Sequence, residues 1–131
     1  MSLQDHVTAI TATAASVVGL DPLTMLTIVS TLLPLLAQCF SGTPQSAKQY
    51  LSEHYDETSA TFDQSIIDQA RPRARRAARI QGQRRLSRDQ LDAITVASFN
   101  HAMSLDDSSL ASAVVEAAQQ LFGDSDNGDN S

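Results

Sequence analysis

Arginine is the residue type in this sequence with the clearest chemistry, because all eight arginines lie between residues 71 and 88. A guanidinium group is planar and donates parallel hydrogen bonds to a carboxylate or a phosphate, which makes its contacts with anions directional. Outside this stretch the chain has one basic residue, Lys48, and all fifteen acidic residues. The stretch therefore carries +8 and the remainder −14, within a net charge of −6. The candidate anion-binding residues are Arg71, Arg73, Arg75, Arg76, Arg79, Arg84, Arg85 and Arg88.

On an α-helix, the arginines between residues 71 and 81 fan across one broad arc. Ala74, Ala77, Ala78 and Gln81 occupy the opposite arc, which is narrow and suited to close packing against another helix. We therefore expect the arginines to project outward. We also expect a kink or a helix restart at Pro72, because proline lacks an N–H donor and clashes with the preceding turn.

Three kinds of contact suit these arginines. The acidic surface of another copy, or of another protein in the same assembly, is favoured because separated charge sets the register between subunits. Nucleic-acid phosphate comes second, since an arginine-rich helix gives sequence-independent affinity. The negative net charge and the scarcity of aromatic residues for base stacking count against it. The third is a solvated face whose charges pair locally.

The histidines and the cysteine form no recognisable catalytic or metal-binding pattern. His6, His54 and His101 are far apart, and a metal site would require distant residues to converge. We interpret each histidine as a surface or packing residue. Cys39 lies in an apolar segment, where its thiolate would be disfavoured. With no glycine-rich phosphate loop either, the sequence predicts a non-enzymatic protein with no cofactor, no metal and no small-molecule substrate.

The elements that position the arginines are predicted to be helices. Aromatic residues are few, and no run alternates with the period of a strand. Candidate helix starts are Ser2, Asp21-Pro22, Thr43-Pro44, a Thr61/Gln64 capping box, a Ser87/Gln90 capping box and Asp106, and candidate stops are Gly19, Gly42, Gly82 and Gly123. The sequence thus predicts an all-α compact bundle of five or six short-to-medium helices, with a loop at residues 56–60. We assign residues 1–122 to a single helical domain and residues 123–131 to an acidic, disordered tail.

One predicted helix, about residues 22–40, is apolar over most of its circumference and must be buried. Its charge-free part, residues 23–40, meets the lower length limit of a membrane span. The missing aromatic and basic anchors beside Leu23 favour the centre of the bundle or a subunit interface instead. Residues 3–17 carry a heptad-like apolar seam, which also favours oligomerisation. The candidate core or interface residues are Leu26, Val29, Leu32, Leu33, Leu36 and Phe40.

These features favour a structural protein, a small helical subunit of a larger particle such as a virion or a similar shell. In this interpretation the apolar helix and the arginines hold the subunits together. A membrane-inserted holin- or anchor-type protein using residues 23–40 is the first alternative. A nucleic-acid-associated accessory protein using Arg71 to Arg88 is the second. No basic residue precedes Lys48, so no secretory signal is expected, and a location in the cytoplasm or within a particle is favoured.

Overall fold

The computed structural model describes residues 2–14, 20–39, 44–82 and 86–129, without the side chains of residues 37–39, 44 and 122–129. Within these residues the chain forms six helices: α1 Leu3–Thr13, α2 Pro22–Cys39, α3 Pro44–Glu53, α4 Gln64–Ile80, α5 Arg88–Ser104 and α6 Asp107–Asp129. Two short strands, β1 Tyr55–Asp56 and β2 Thr61–Phe62, pair antiparallel at the two ends of the segment expected to be a loop. We call this pair of strands the hairpin. The prediction of an all-α bundle is confirmed.

Helix α2 lies at the centre of the bundle, because it packs against each of the other five helices. Four of its predicted core or interface residues are at most 2% exposed: Val29, Leu32, Leu33 and Leu36. Leu26 is partly buried against the same core, and Phe40 lies outside the described residues. The chain thus encloses its own apolar helix. Among the described residues, no helix has the length and hydropathy that crossing a bilayer requires.

Helix α1 also directs its apolar seam into the core of its own chain. Leu3, Val7, Ile10 and Ala14 are all buried, and α1 packs against α2, α5 and α6. Val17, the last position of the seam, lies outside the described residues. The spacing that suggested a contact between subunits therefore builds an internal contact at its described positions.

Side-chain caps form at several of the expected helix starts. Ser2 Oγ accepts a hydrogen bond from the Asp5 amide at 3.3 Å. Ser87 and Gln90 form the predicted reciprocal capping box, at 3.1 and 2.9 Å. Asp106 accepts from the Ser109 amide at 2.7 Å. These caps satisfy amide donors that the first turn of a helix leaves without partners.

The capping box predicted at Thr61 and Gln64 is wrong, because Thr61 belongs to β2 and α4 begins at Gln64. Asp63 occupies the N-cap position, but its side chain makes no capping hydrogen bond. The Asp63 carboxylate instead lies 2.7 Å from Nδ1 of His54. Pairing of the two strands thus takes the place of a local cap at this helix start.

Helix α4 runs from Gln64 to Ile80 through Pro72, so the expected restart is wrong. Pro72 lies on the exposed side of the helix, where a carbonyl that loses its N–H donor can be hydrated. The helix ends before Gly82, which has φ +81° and donates its amide to Arg79 O at 2.9 Å. Glycine tolerates this left-handed conformation without steric cost.

Helix α6 continues to Asp129 rather than ending at Gly123, where the sequence placed its stop. The side chains of residues 122–129 and all of residues 130–131 lie outside the described part of the chain. The acidic tail, residues 123–131, is therefore characterised by its composition, which includes three aspartates and no basic residue.

Two buried hydroxyls, Ser30 on α2 and Ser98 on α5, have no hydrogen-bond partner among the described residues. Leaving a buried polar group without a partner costs about 1–3 kcal/mol. Ser98→Ala is therefore expected to raise the free energy of unfolding by about 1 kcal/mol in urea denaturation. Ser104→Ala, at an exposed position of the same helix, should change it by less than about 0.5 kcal/mol. A loss of stability in Ser98→Ala would contradict the expectation.

Candidate functional site

Helix α4 has two chemically distinct sides. Its buried side consists of Ile66 and Ile67 in the first turn and then of alanines, since Ala70, Ala74, Ala77 and Ala78 are at most 1% exposed. These small side chains allow α4 to lie close to α2 and α5, the two helices against which it packs extensively. The arginines occupy the opposite side, where residues 73, 76 and 79 are exposed and residues 71 and 75 are half-buried.

We call Arg71, Arg73, Arg75, Arg76 and Arg79 the arginine face. All of these except Arg73, together with Pro72, line a depression of about 310 Å³ on the surface of α4. Positions 71, 75 and 79 follow at intervals of four residues, which places them side by side along a helix. The depression is therefore a concave surface bordered by four guanidinium groups.

Arg71 differs from the other arginines of the face because its charge is used within the chain. Its Nε and Nη2 donate to the two carboxylate oxygens of Asp92 on α5, at 2.8 and 3.0 Å. Nη2 also lies 3.0 Å from Asp68 Oδ1, one turn earlier on α4. Hydrogen bonding to Asp92, with a smaller effect from Asp68, raises the pKa of the Arg71 guanidinium. Arg71 thus ties α4 to α5.

The other four arginines of the face lack such partners. Among the described residues, no carboxylate oxygen lies within 4.0 Å of Arg73, Arg75, Arg76 or Arg79. Like charges one turn apart destabilise a helix by a few tenths of a kcal/mol per pair. Binding of an anion would relieve this repulsion.

The structure separates the remaining arginines from this face or leaves them undescribed. Arg88 begins α5, where its side chain is 62% exposed and its Nε lies 3.9 Å from Asp92 Oδ2. Arg84 and Arg85 lie outside the described residues. Five of the eight candidate residues therefore share one face of α4.

An exposed isoleucine extends the arginine face at the end of α4. Ile80 is 70% exposed, and it follows Arg76 by four residues, a spacing that makes the two side chains neighbours. Arginine together with an exposed apolar side chain is typical of surfaces that bind other proteins. Sequence reasoning missed Ile80, although its four-residue spacing from Arg76 places it beside the arginines on a helix.

Two histidines that the sequence separates by 95 positions form a pair at the contact of α1 with α5. Nδ1 of His6 and Nε2 of His101 lie 2.7 Å apart, and His6 is 1% exposed. Burial lowers the pKa of both histidines. The nearby carboxylate of Glu116 opposes this effect on His6. Only the tertiary packing of the two helices reveals the pair, which leaves no signal in the sequence.

The pair does not extend into a metal site, because the described residues contain no group of three or more metal-ligating side chains. His101 and Asp92 both border a groove of about 940 Å³ that α1, α5 and the hairpin also line. Each already has a partner within the chain, His6 and Arg71 respectively. The arginine face therefore carries more unpaired charge than this groove, where Asp89 is the carboxylate without a partner among the described residues.

Comparison of the chain with protein-family models, with curated proteins and with solved structures finds no match.

The ion pair between Arg71 and Asp92 is expected to stabilise the contact between α4 and α5. Asp92→Asn removes the charge but keeps the size of the side chain, and should lower the free energy of unfolding by about 1–2 kcal/mol in urea denaturation. Asp89→Asn, three residues earlier on the same helix and exposed, is the matched control and should change it by less than about 0.5 kcal/mol. Equal effects of the two substitutions would contradict a specific role for the pair.

The histidine pair predicts that stability falls on mild acidification. The folded state lowers the pKa of both rings below their ordinary 6.5, so the unfolded chain takes up protons first. The stabilisation is present above pH 6.5 and is lost as the pH falls towards the lower folded pKa values. Protonation of both rings also removes the acceptor that their hydrogen bond needs.

Urea denaturation between pH 7.5 and pH 5 measures this effect. We expect the chain to lose stability over this range and His101→Gln to lose less, because one of the two perturbed rings is gone. His54→Gln, which alters a histidine of the hairpin, is the matched control and should retain the loss. Constant stability in the unsubstituted chain would contradict the prediction.

Proposed function

We propose that the protein is a non-enzymatic assembly protein, a small helical subunit that joins a larger particle by binding an acidic protein surface through its arginine face. One observation supports this above all others. Arg73, Arg75, Arg76 and Arg79 lie on one side of α4 without a carboxylate partner among the described residues. Unpaired guanidinium groups at this density favour an external anion.

The burial of α2 favours charge, rather than apolar contact, as the basis of assembly. The apolar side chains of α2 that were candidates for a subunit interface lie in the chain's own core. The exposed large apolar residues among the described positions are Leu23, Ile80 and Val115, and they lie on three different helices. Ile80 belongs to the end of the arginine face and supplies its apolar contact.

Two features of the arginine face favour a protein partner over nucleic acid. The segment that forms α4 contains no aromatic residue on which a base could stack. Transfer of the Ile80 side chain from water to an apolar protein surface lowers the free energy. A phosphate backbone has no such apolar surface. A subunit of this kind suits a virion-like shell or a similar particle. Each junction between subunits of such a particle would bring a basic face against an acidic surface.

Replacement of two arginines that line the depression tests this proposal. Arg75→Gln with Arg79→Gln is expected to shift the purified protein from assemblies towards the chain mass of 14.1 kDa, because two of the four unpaired charges are lost. Light scattering at low and high salt measures the mass. Assemblies of the unsubstituted chain should loosen as salt screens the contact.

The matched control is Gln119→Glu with Gln120→Glu, two exposed positions of α6. Both double variants lower the net charge by two, but the control leaves the arginine face intact and should assemble normally. Assembly of the arginine variant at the mass of the unsubstituted chain would overturn the proposal. Strong, salt-dependent binding of random duplex DNA by the unsubstituted chain would instead favour a nucleic-acid partner.

A further inference from the structure

We infer that the acidic partner of the arginine face is the tail, residues 123–131, of a second copy of this chain. This inference rests on the proposed function and specifies its partner. It follows from how the chain uses its other carboxylates, from the charge of the tail and from the positions of α4 and α6 in the bundle.

Most carboxylates before the tail already have a role within the chain. Of the twelve acidic residues before residue 123, ten accept a hydrogen bond from another group or pair with a basic one. The ten are Asp5, Asp21, Glu53, Asp56, Asp63, Asp68, Asp92, Asp106, Asp107 and Glu116. Glu57 and Asp89 have no such contact among the described residues. They are single charges, far apart in the sequence. This part of the chain therefore offers no run of free carboxylates.

The tail concentrates negative charge, as Glu53, Asp56 and Glu57 also do, but two of those three carboxylates accept hydrogen bonds within the chain. Asp124, Asp126 and Asp129 fall within six residues, among glycine, serine and asparagine, with no basic residue. Their three negative charges nearly match the four unpaired arginines of α4. Bulky side chains are absent from the tail, so its carboxylates can approach a depression of about 310 Å³ closely.

The tail is also long enough for this contact. Arg73 and Arg79 are six positions apart, about 9 Å along a helix. Nine residues span up to about 30 Å when extended and about 13 Å when helical. In either conformation one tail is long enough to run along the unpaired arginines.

The packing of the helices places the arginine face and the tail on different elements. Helix α6, whose last seven residues belong to the tail, packs against α1, α2 and α3, whereas α4 packs against α2 and α5. Both helices thus flank α2, and the arginines lie on the side of α4 opposite its buried alanines. A face on one element and a tail on another form a head-to-tail junction, which leaves a free face and a free tail for further copies.

Complementation between two full-length variants tests this inference. Arg75→Glu with Arg79→Glu keeps the tail but disables the face. Asp124→Asn, Asp126→Asn and Asp129→Asn keep the face but neutralise the tail. Each variant alone should remain at 14.1 kDa, because each lacks one half of the junction. Their equimolar mixture should form one junction and give a species of twice that mass by light scattering, which dissociates in high salt.

The control variant, Glu57→Gln with Asp89→Asn, neutralises two carboxylates that have no partner among the described residues and should assemble like the unsubstituted chain. Circular dichroism should show the same helix content in all variants, which would attribute any change of mass to the substituted charges.

The outcomes separate this inference from the proposed function. If the tail variant assembles normally while the arginine variant does not, the acidic partner is another surface, and the proposed function stands without the tail. If both assemble normally, the proposed function fails as well. If the unsubstituted chain stays at 14.1 kDa at all concentrations, a contact between copies is excluded. If the mixture stays at 14.1 kDa, the tail does not bind the face of a second copy.

Discussion

The burial of α2 constrains every other helix of the bundle, because an eighteen-residue helix without a formal charge must be covered around most of its circumference. All five other helices contact it, so each turns an apolar side inward. From Ala70 to Ala78, the segment that carries the arginines, the side chains of α4 that are buried in the core are all alanines. A narrow inward side leaves a wide outer arc, and this width allows five arginines to share one face.

The ion pair with Asp92 gives Arg71 a structural role that the other arginines of the face do not have. Arg71 lies at the edge of the arc, next to α5, where a carboxylate is within reach. Arg75 and Arg79 follow on the same side of α4 but have no described carboxylate beside them. The bidentate geometry also restricts rotation of α4 about its own axis, which keeps the unpaired arginines directed away from the bundle. One structural arginine thus orients the others away from the bundle.

Local patterns in the sequence predict most of the fold and the outward projection of the arginines. Caps, helical periodicity and the alternation of alanine with arginine depend on neighbours within one or two turns, so they can be read from the sequence. The partners of Arg71 and His6 lie 21 and 95 positions away, and no local pattern encodes them. The wrong cap at Thr61 and the absence of a helix restart at Pro72 have a similar origin. Strand pairing determined the first, and exposure of the proline determined the second.

The distribution of charge decides what kind of anion suits the arginine face. A carboxylate that caps a helix or accepts a hydrogen bond keeps its charge, so the chain beyond residues 71–88 still carries −14. At physiological ionic strength, charges are screened over about 8 Å. An anion confined to α4 therefore responds mainly to the unpaired arginines. A nucleic-acid duplex extends beyond the face and meets the acidic remainder of the surface, whereas a short acidic segment can end within the face. The partner that we propose is therefore a compact anionic segment rather than a duplex.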